Sequence, residues 1–276
     1  YKGIVRNVEQ ATDEDLPAAE PRIADVKDAQ DFRKLLKKEQ TCYLHHLAEG
    51  IPARANKHFR VLQISPNEWA ITEVYAGIHA VGLLPADFKV MHDCRGSIIW
   101  SPLSNLLLYG VTADVASAKE NGLLIGLGSD WSASGSKNLL CELKVAKLYS
   151  DNAGNLFTDE ELVRMVTTNA AAILKWDKIG SLKAGMKADL IVVDGKGKKD
   201  DPYEKLIKAK ETDITFVAIG GRPRIGVKKL MDAFAISAEQ VKVGSVKRYL
   251  FLKNELANVV DIPLSFKEAR AMLATG

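Results

Sequence analysis

Thr41-Cys-Tyr-Leu-His-His-Leu47, followed by Ala48-Glu49-Gly50, is a short apolar run that ends in two histidines, with a carboxylate three residues beyond the second. The run reads as a strand and the glycine as its exit. Parallel α/β sheets and barrels hold their sites at the carboxyl ends of strands, so His46 is expected to point into a mouth with Glu49 just above it. The ordinary alternative makes His45 or His46 a hydrogen-bonded core or rim residue and Glu49 a solvated loop carboxylate.

Two further strand ends carry the same kind of residue. Gly77-Ile78-His79-Ala80 closes a short apolar run on a histidine, and Leu124-Ile-Gly-Leu-Gly-Ser-Asp130-Trp131 delivers an aspartate from a buried type of strand. A carboxylate in such a place is costly unless it is paired or bound to metal, although an aspartate that caps the next turn is also an ordinary outcome. Two histidines and an aspartate on three strand ends form a nitrogen and oxygen donor set suited to zinc or another first-row divalent ion. Between them, Gly96-Ser-Ile-Ile-Trp-Ser-Pro-Leu-Ser-Asn-Leu-Leu-Leu-Tyr-Gly110 reads as a strand that breaks at Ser101-Pro102 and exposes Ser104 and Asn105 as ligand-contacting groups. Asn105 as a cap and Ser-Pro as a plain turn are the alternatives. His58 and His92 lack this framing and are read as surface residues.

Around these motifs, strand-like runs alternate with helix-like stretches from residue 1 to about Trp176, the pattern of a parallel sheet covered by helices. Strands are expected at 3–8, 41–47, 76–79, 89–91, 96–100 and 123–129, and helices at 28–38, 66–74, 111–121 and 139–149. Thr158-Asp-Glu-Glu161 has the form of a capping box that opens a helix running through Leu174. Six strands are too few to close a (β/α)₈ barrel, so the barrel is incomplete or the sheet is open. After Trp176 the texture becomes a glycine-punctuated strand passage (179–194), a charged loop and a Gly220-Gly221 hairpin, with strand signals at 241–252 and a closing helix at 265–273. Residues 1–176 are therefore read as one domain and 177–276 as a small β domain.

The composition narrows the class. Thirty-eight Lys plus Arg against thirty-five Asp plus Glu leave +3, too small a surplus for a nucleic-acid footprint. Cys42, Cys94 and Cys141 are odd in number and widely spaced, which suggests neither a disulfide framework nor a cysteine zinc site and fits a reducing cytoplasm. No apolar run approaches the length of a membrane span, and no partner membrane is expected. Tyr1 begins a strand-like run without a preceding turn, which suggests a fragment.

Taken in order, His46-x-x-Glu49, His79, Trp100-Ser-Pro-Leu-Ser-Asn105 and Gly126-Leu-Gly-Ser-Asp130 resemble the amidohydrolase superfamily, in its aminohydrolase and chlorohydrolase branch of cytosine and guanine deaminase-like enzymes. The resemblance continues through Asn138-Leu-Leu-Cys-Glu142, Thr168-Asn-Ala-Ala-Ala-Ile-Leu174 and Gly180 to Val193, covering roughly residues 40 to 225. It implies a (β/α)₈ barrel flanked by a β-sandwich, and hydrolysis of a carbon–nitrogen bond in a small cyclic or amidine-like substrate, by water activated on one divalent ion, zinc or else iron. It makes His46 the metal ligand of the fifth barrel strand and His79 the sixth-strand histidine, a ligand and catalytic group. Asp130 becomes the eighth-strand aspartate that binds metal and takes a proton, Glu49 the proton shuttle, and Ser104, Asn105 and Trp131 the mouth lining. A homodimer is implied by the same resemblance.

One departure is large. The family's first strand carries a His-x-His pair, and this sequence has none; the neighbours His45 and His46 cannot both face one ion from a strand. The chain is thus expected to hold about strands four to eight, with 3–8 as strand four, and part of the β domain. Two metal ligands would lie outside it, leaving metal weakly held and the chain inactive alone. The competing reading is a metal-free pseudoenzyme or assembly module that keeps the barrel as a scaffold.

Overall fold

The computed structural model describes residues 8–9, 15–22, 24–195, 201–252 and 265–275. Strand β1 (Glu20–Arg22) leads to helix α1 (Ala29–Leu36), whose first turn is capped by Asp28 accepting from the Asp31 N–H at 2.8 Å. Strand β2 (Tyr43–Leu47) is followed by α2 (Pro52–Arg60) and by the hairpin of β3 (Gln63–Ser65) and β4 (Glu68–Trp69). The alternation continues with β5 (Tyr75–His79), α3 (Pro85–Asp93), β6 (Ser97–Trp100), α4 (Pro102–Tyr109), α5 (Val115–Glu120) and β7 (Leu124–Leu127). Helices α6 (Leu139–Asn152), α7 (Asp159–Met165) and α8 (Thr168–Ile173) complete this part.

Strands β1, β2, β5, β6 and β7 lie side by side in that order and all run parallel, as in the core of a (β/α)₈ barrel. Side-chain alternation divides their residues between two faces. Tyr43, Leu47, Tyr75, Ile98, Trp100 and Leu127 pack against Phe32, Phe59, Phe88, Met91 and Leu143 of the helices. Leu44 and Ala76 pack on the opposite face with Cys42, Ala19 and Ile173. Burial on both faces is what makes these strands read as apolar runs rather than as alternating ones. Gly77 is required for space: a Cβ there would stand 2.6 Å from Cδ2 of Leu47 on the neighbouring strand.

The remaining elements are β8 (Leu190–Val193), α9 (Pro202–Lys208), β9 (Ile214–Ile219), β10 (Arg222–Gly226), α10 (Lys228–Ala233), β11 (Glu239–Val243), β12 (Val246–Leu250) and α11 (Phe266–Thr275). The five strands form an antiparallel sheet in the order β11-β12-β10-β9-β8, a small β-sandwich type of extension. The expected Gly220-Gly221 hairpin joins β9 and β10, with both glycines at positive φ as a tight hairpin demands. Met231 of α10 packs on Phe216 and Ala218.

Several expected elements differ. Residues 89–91 lie in α3 rather than a strand, because Pro85 and the Asp87 carboxylate, which accepts from the Leu84 N–H, start a helix that buries Phe88 and Met91 on one side. Residues 66–74 are not helical: Pro66 and Asn67 turn the chain between β3 and β4, which seats Trp69 on Phe59 at a centroid distance of 4.8 Å. The Thr158 capping box is present, but its helix breaks at Thr167 into α7 and α8. Helices α2, α4 and α9 also begin at prolines, and of these Pro102 reads in the sequence as a turn. Of the expected strand at 3–8, only Val8 lies within the described residues, and the strand that pairs with β2 on that side is β1.

Candidate functional site

The carboxyl ends of β2, β5 and β7 share an uncommon backbone feature. Ala48, His79, Ala80 and Asp130 all have positive φ, at 46°, 72°, 54° and 58°. Such conformations cost non-glycine residues of order 1 kcal/mol or more and gather where side chains must be aimed. For His79 the reason is visible. Simple alternation would send it to the helix-covered face with Tyr75, whereas it stands at the mouth, with its ring centroid 5.4 Å from that of His46.

His46, Glu49 and His79 bring donor atoms within 4.8 Å of one another, and are a group able to hold a metal ion. Nε2 of His79 is 3.5 Å from Oε2 of Glu49 and 4.0 Å from Oδ2 of Asp130. The second nitrogens are engaged elsewhere. Nδ1 of His46 lies 3.2 Å from the Arg22 carbonyl, which can only accept, so Nδ1 is a donor and in the neutral ring Nε2 carries the lone pair. Nδ1 of His79 lies 3.1 Å from Oδ1 of Asn105, whose Nδ2 donates to Oγ1 of Thr112 at 3.1 Å. Two imidazoles oriented in this way, beside two carboxylates, are the donor set and supporting shell that divalent zinc takes, so the residues present fit the ion. Burial lowers the pKa of His79 and keeps its lone pair available, against the opposing pull of Glu49 and Asp130.

Each carboxylate has one oxygen tied by a hydrogen bond and the other turned toward His79. The Tyr109 hydroxyl donates to Oε1 of Glu49 at 2.8 Å, and the Trp131 N–H donates to Oδ1 of Asp130 at 2.7 Å. Burial and the bond to Glu49 push the Tyr109 phenol up to about 12, so it is a donor across the physiological range. Beneath the mouth, the buried Glu142 of α6 accepts from the Leu103 N–H in the first turn of α4 at 2.9 Å and from the Ser136 hydroxyl in the loop that carries Asp130. It thereby ties together the two segments that place Asn105 and Asp130. Burial raises its pKa.

The structure thus brings His46, Glu49 and His79 together with Asp130 beside them, and its three-residue group takes in Glu49 where the resemblance implied Asp130. Contrary to the broken-strand reading, Ser104 and Asn105 are not exposed. They are fully buried on α4, because Ser101-Pro102 starts a helix instead of a loop. Trp131 is 73% exposed, at the rim next to Asp130. His45 faces the helices, with Nδ1 2.9 Å from the Tyr75 hydroxyl and its pKa lowered by burial to about 4, as the core reading had it. Tyr109 and Thr112 carried no signal in the sequence, while Glu142 stood inside a quoted motif without a role.

Among proteins compared with this chain, a 5-methylthioadenosine/S-adenosylhomocysteine deaminase of Pelotomaculum thermopropionicum is 30% identical over 185 residues, 64% of this chain and 42% of the relative. The chain therefore spans about two fifths of the length of that protein. Two solved structures share the fold: a zinc-bound adenosine deaminase from Xanthomonas campestris, with a TM-score of 0.63 at 19% identity over 75% of this chain and 52% of the other, and the guanine deaminase of E. coli, with a TM-score of 0.62 at 21% identity over 75% and 54%. The model of the amidohydrolase family matches residues 69–224, more than half of the sequence and including His79, Asn105 and Asp130. The chain belongs to the amidohydrolase family.

Proposed function

We propose that the chain is the part of a metal-dependent hydrolase that directs water at a carbon–nitrogen bond, with zinc as the ion and hydrolytic deamination of an adenine-bearing nucleoside as the reaction. The observation that carries the reading is the group of His46, Glu49 and His79, whose donor atoms lie within 4.8 Å of one another, with both imidazole Nδ1 atoms engaged elsewhere. The substrate class rests on the deaminase names of the relatives.

His46, His79 and Asp130 would hold the ion. A divalent ion supplies a water whose pKa lies near neutrality. Oδ2 of Asp130, the oxygen not bonded to Trp131, is the atom that would accept a proton from the attacking water. Oε2 of Glu49 carries a proton to the leaving nitrogen, which departs as ammonia. Asn105 acts from beneath by orienting His79, with Ser104 beside it in the buried turn. Trp131 offers an apolar face at the rim for the substrate ring.

Residues 1–176 and 177–276 are read as the barrel and β-sandwich portions of this enzyme. The three free cysteines support a cytoplasmic setting, and a homodimer follows the resemblance. None of the helices among the described residues is long and apolar enough to cross a membrane. The test is elemental analysis of the purified chain and its His46→Ala variant. Bound zinc or iron that is lost in the variant supports the reading, and an unaltered chain that takes up no metal under saturating zinc removes it.

A further inference from the structure

Glu49 leaves the end of β2 on a residue of left-handed backbone, and α4 ends on Tyr109 just before Gly110. The segment after β2 and the helix after β6 are joined by the Tyr109 hydroxyl donating to Glu49 Oε1 at 2.8 Å. It occupies Oε1 and leaves Oε2 facing Nε2 of His79 at 3.5 Å. A carboxylate beside a cation has two uses, as a ligand or as a proton carrier, and it serves the second only while it is kept from closing on the ion with both oxygens. We propose that Tyr109 is the positioning residue that reserves Glu49 for proton transfer, by keeping Oε1 engaged so that Oε2 alone faces His79. The inference rests on the metal reading of the site given above.

A donor hydroxyl also withdraws charge from the carboxylate it binds. Removing it frees both oxygens and makes them better metal ligands. The sign of the consequence is therefore unusual: Tyr109→Phe should bind a divalent ion more tightly and turn substrate over more slowly. A merely structural defect at the mouth loosens the metal instead.

The experiment is a cobalt(II) titration of four chains followed by visible absorption: the unaltered chain, Tyr109→Phe, Glu49→Gln and the double variant. Tyr109→Phe is expected to tighten cobalt binding by about tenfold, the size of an outer-shell effect but opposite in sign to the usual loss, and the gain should vanish when Glu49 is also replaced, since a glutamine carries no charge to release. The tetrahedral-type absorption per cobalt should also weaken in Tyr109→Phe, as a second carboxylate oxygen raises the coordination number. Unchanged or weaker cobalt binding in Tyr109→Phe, or the same change in both backgrounds, overturns the proposal. Tyr109 is half-exposed and phenylalanine keeps its ring; Tyr109→Leu, which also lacks the hydroxyl, carries the test if the first variant does not fold. An unaltered chain that binds no cobalt at all fails the metal reading itself, by a signal none of the variants can imitate, and takes the proposal down with it.

Discussion

Oδ1 of Asn105 stands 3.1 Å from Nδ1 of His79, and both residues are buried, so the first turn of α4 grips the end of β5, the strand before β6. The bond does for His79 what a backbone carbonyl does for His46. Asn105→Leu should lower zinc affinity by about 10- to 100-fold while leaving the sheet intact, and Asn105→Asp, which keeps an acceptor, should retain most of it. Competition against a chromophoric chelator measures both. Equal affinity in Asn105→Leu would remove Asn105 from the support of the site.

The two carboxylates should separate in their effects. Asp130→Asn is expected to abolish turnover by the enzyme with its fold retained, and Glu49→Gln to impair turnover more than metal content. His46→Ala should lose metal first. Kinetics paired with metal analysis on the same preparations distinguish the three, and near-normal kcat in Asp130→Asn would take that residue out of the mechanism.

Gly77→Ala tests the packing beneath the mouth. Its new methyl would meet Leu47 Cδ2 at 2.6 Å and Cβ at 3.1 Å, and Leu47 is fully buried with little room to yield. Overpacking of this kind costs about 1–3 kcal/mol. Urea denaturation should show the midpoint falling at an unchanged slope.

Glu142 predicts a pH dependence. Burial raises its pKa in the fold above the ordinary 4.5. A carboxyl raised in this way binds its proton more tightly folded than unfolded, so its contribution to stability is complete below 4.5 and is lost as pH rises through the folded value. Glu142→Gln has no such loss. It can still accept from the Leu103 N–H, so its stability relative to the unaltered chain should climb from pH 4 towards neutrality. A difference that is flat across this window would mean that Glu142 titrates as an ordinary carboxyl.

Much of this was readable in advance, for a physical reason. His46, His79 and Asp130 each close an apolar strand, and a parallel sheet collects its strand ends on one side, so three separated motifs had to converge. The Thr158 capping box was equally plain, and a helix follows Asp28 where one was expected. Residues 89–91 misled because three residues hold too little periodicity to separate strand from helix, and burial of Phe88 and Met91 decided the matter. Ser101-Pro102 misled because proline both ends a strand and begins a helix. Tyr109 could not be found in sequence at all, since its meaning is a single bond to a residue sixty positions away.

Trp131, 73% exposed beside Asp130, differs in surroundings from the other tryptophans: Trp100 is fully buried, Trp176 is 6% exposed and Trp69 is half-buried against Phe59. The chain thus contains its own two-colour thermometer. Indole emission shifts to longer wavelength in water, so the red edge of the fluorescence band reports the rim and the blue edge the interior. Excited at one wavelength and read at two, a single heated sample would show whether the mouth loosens before the core gives way.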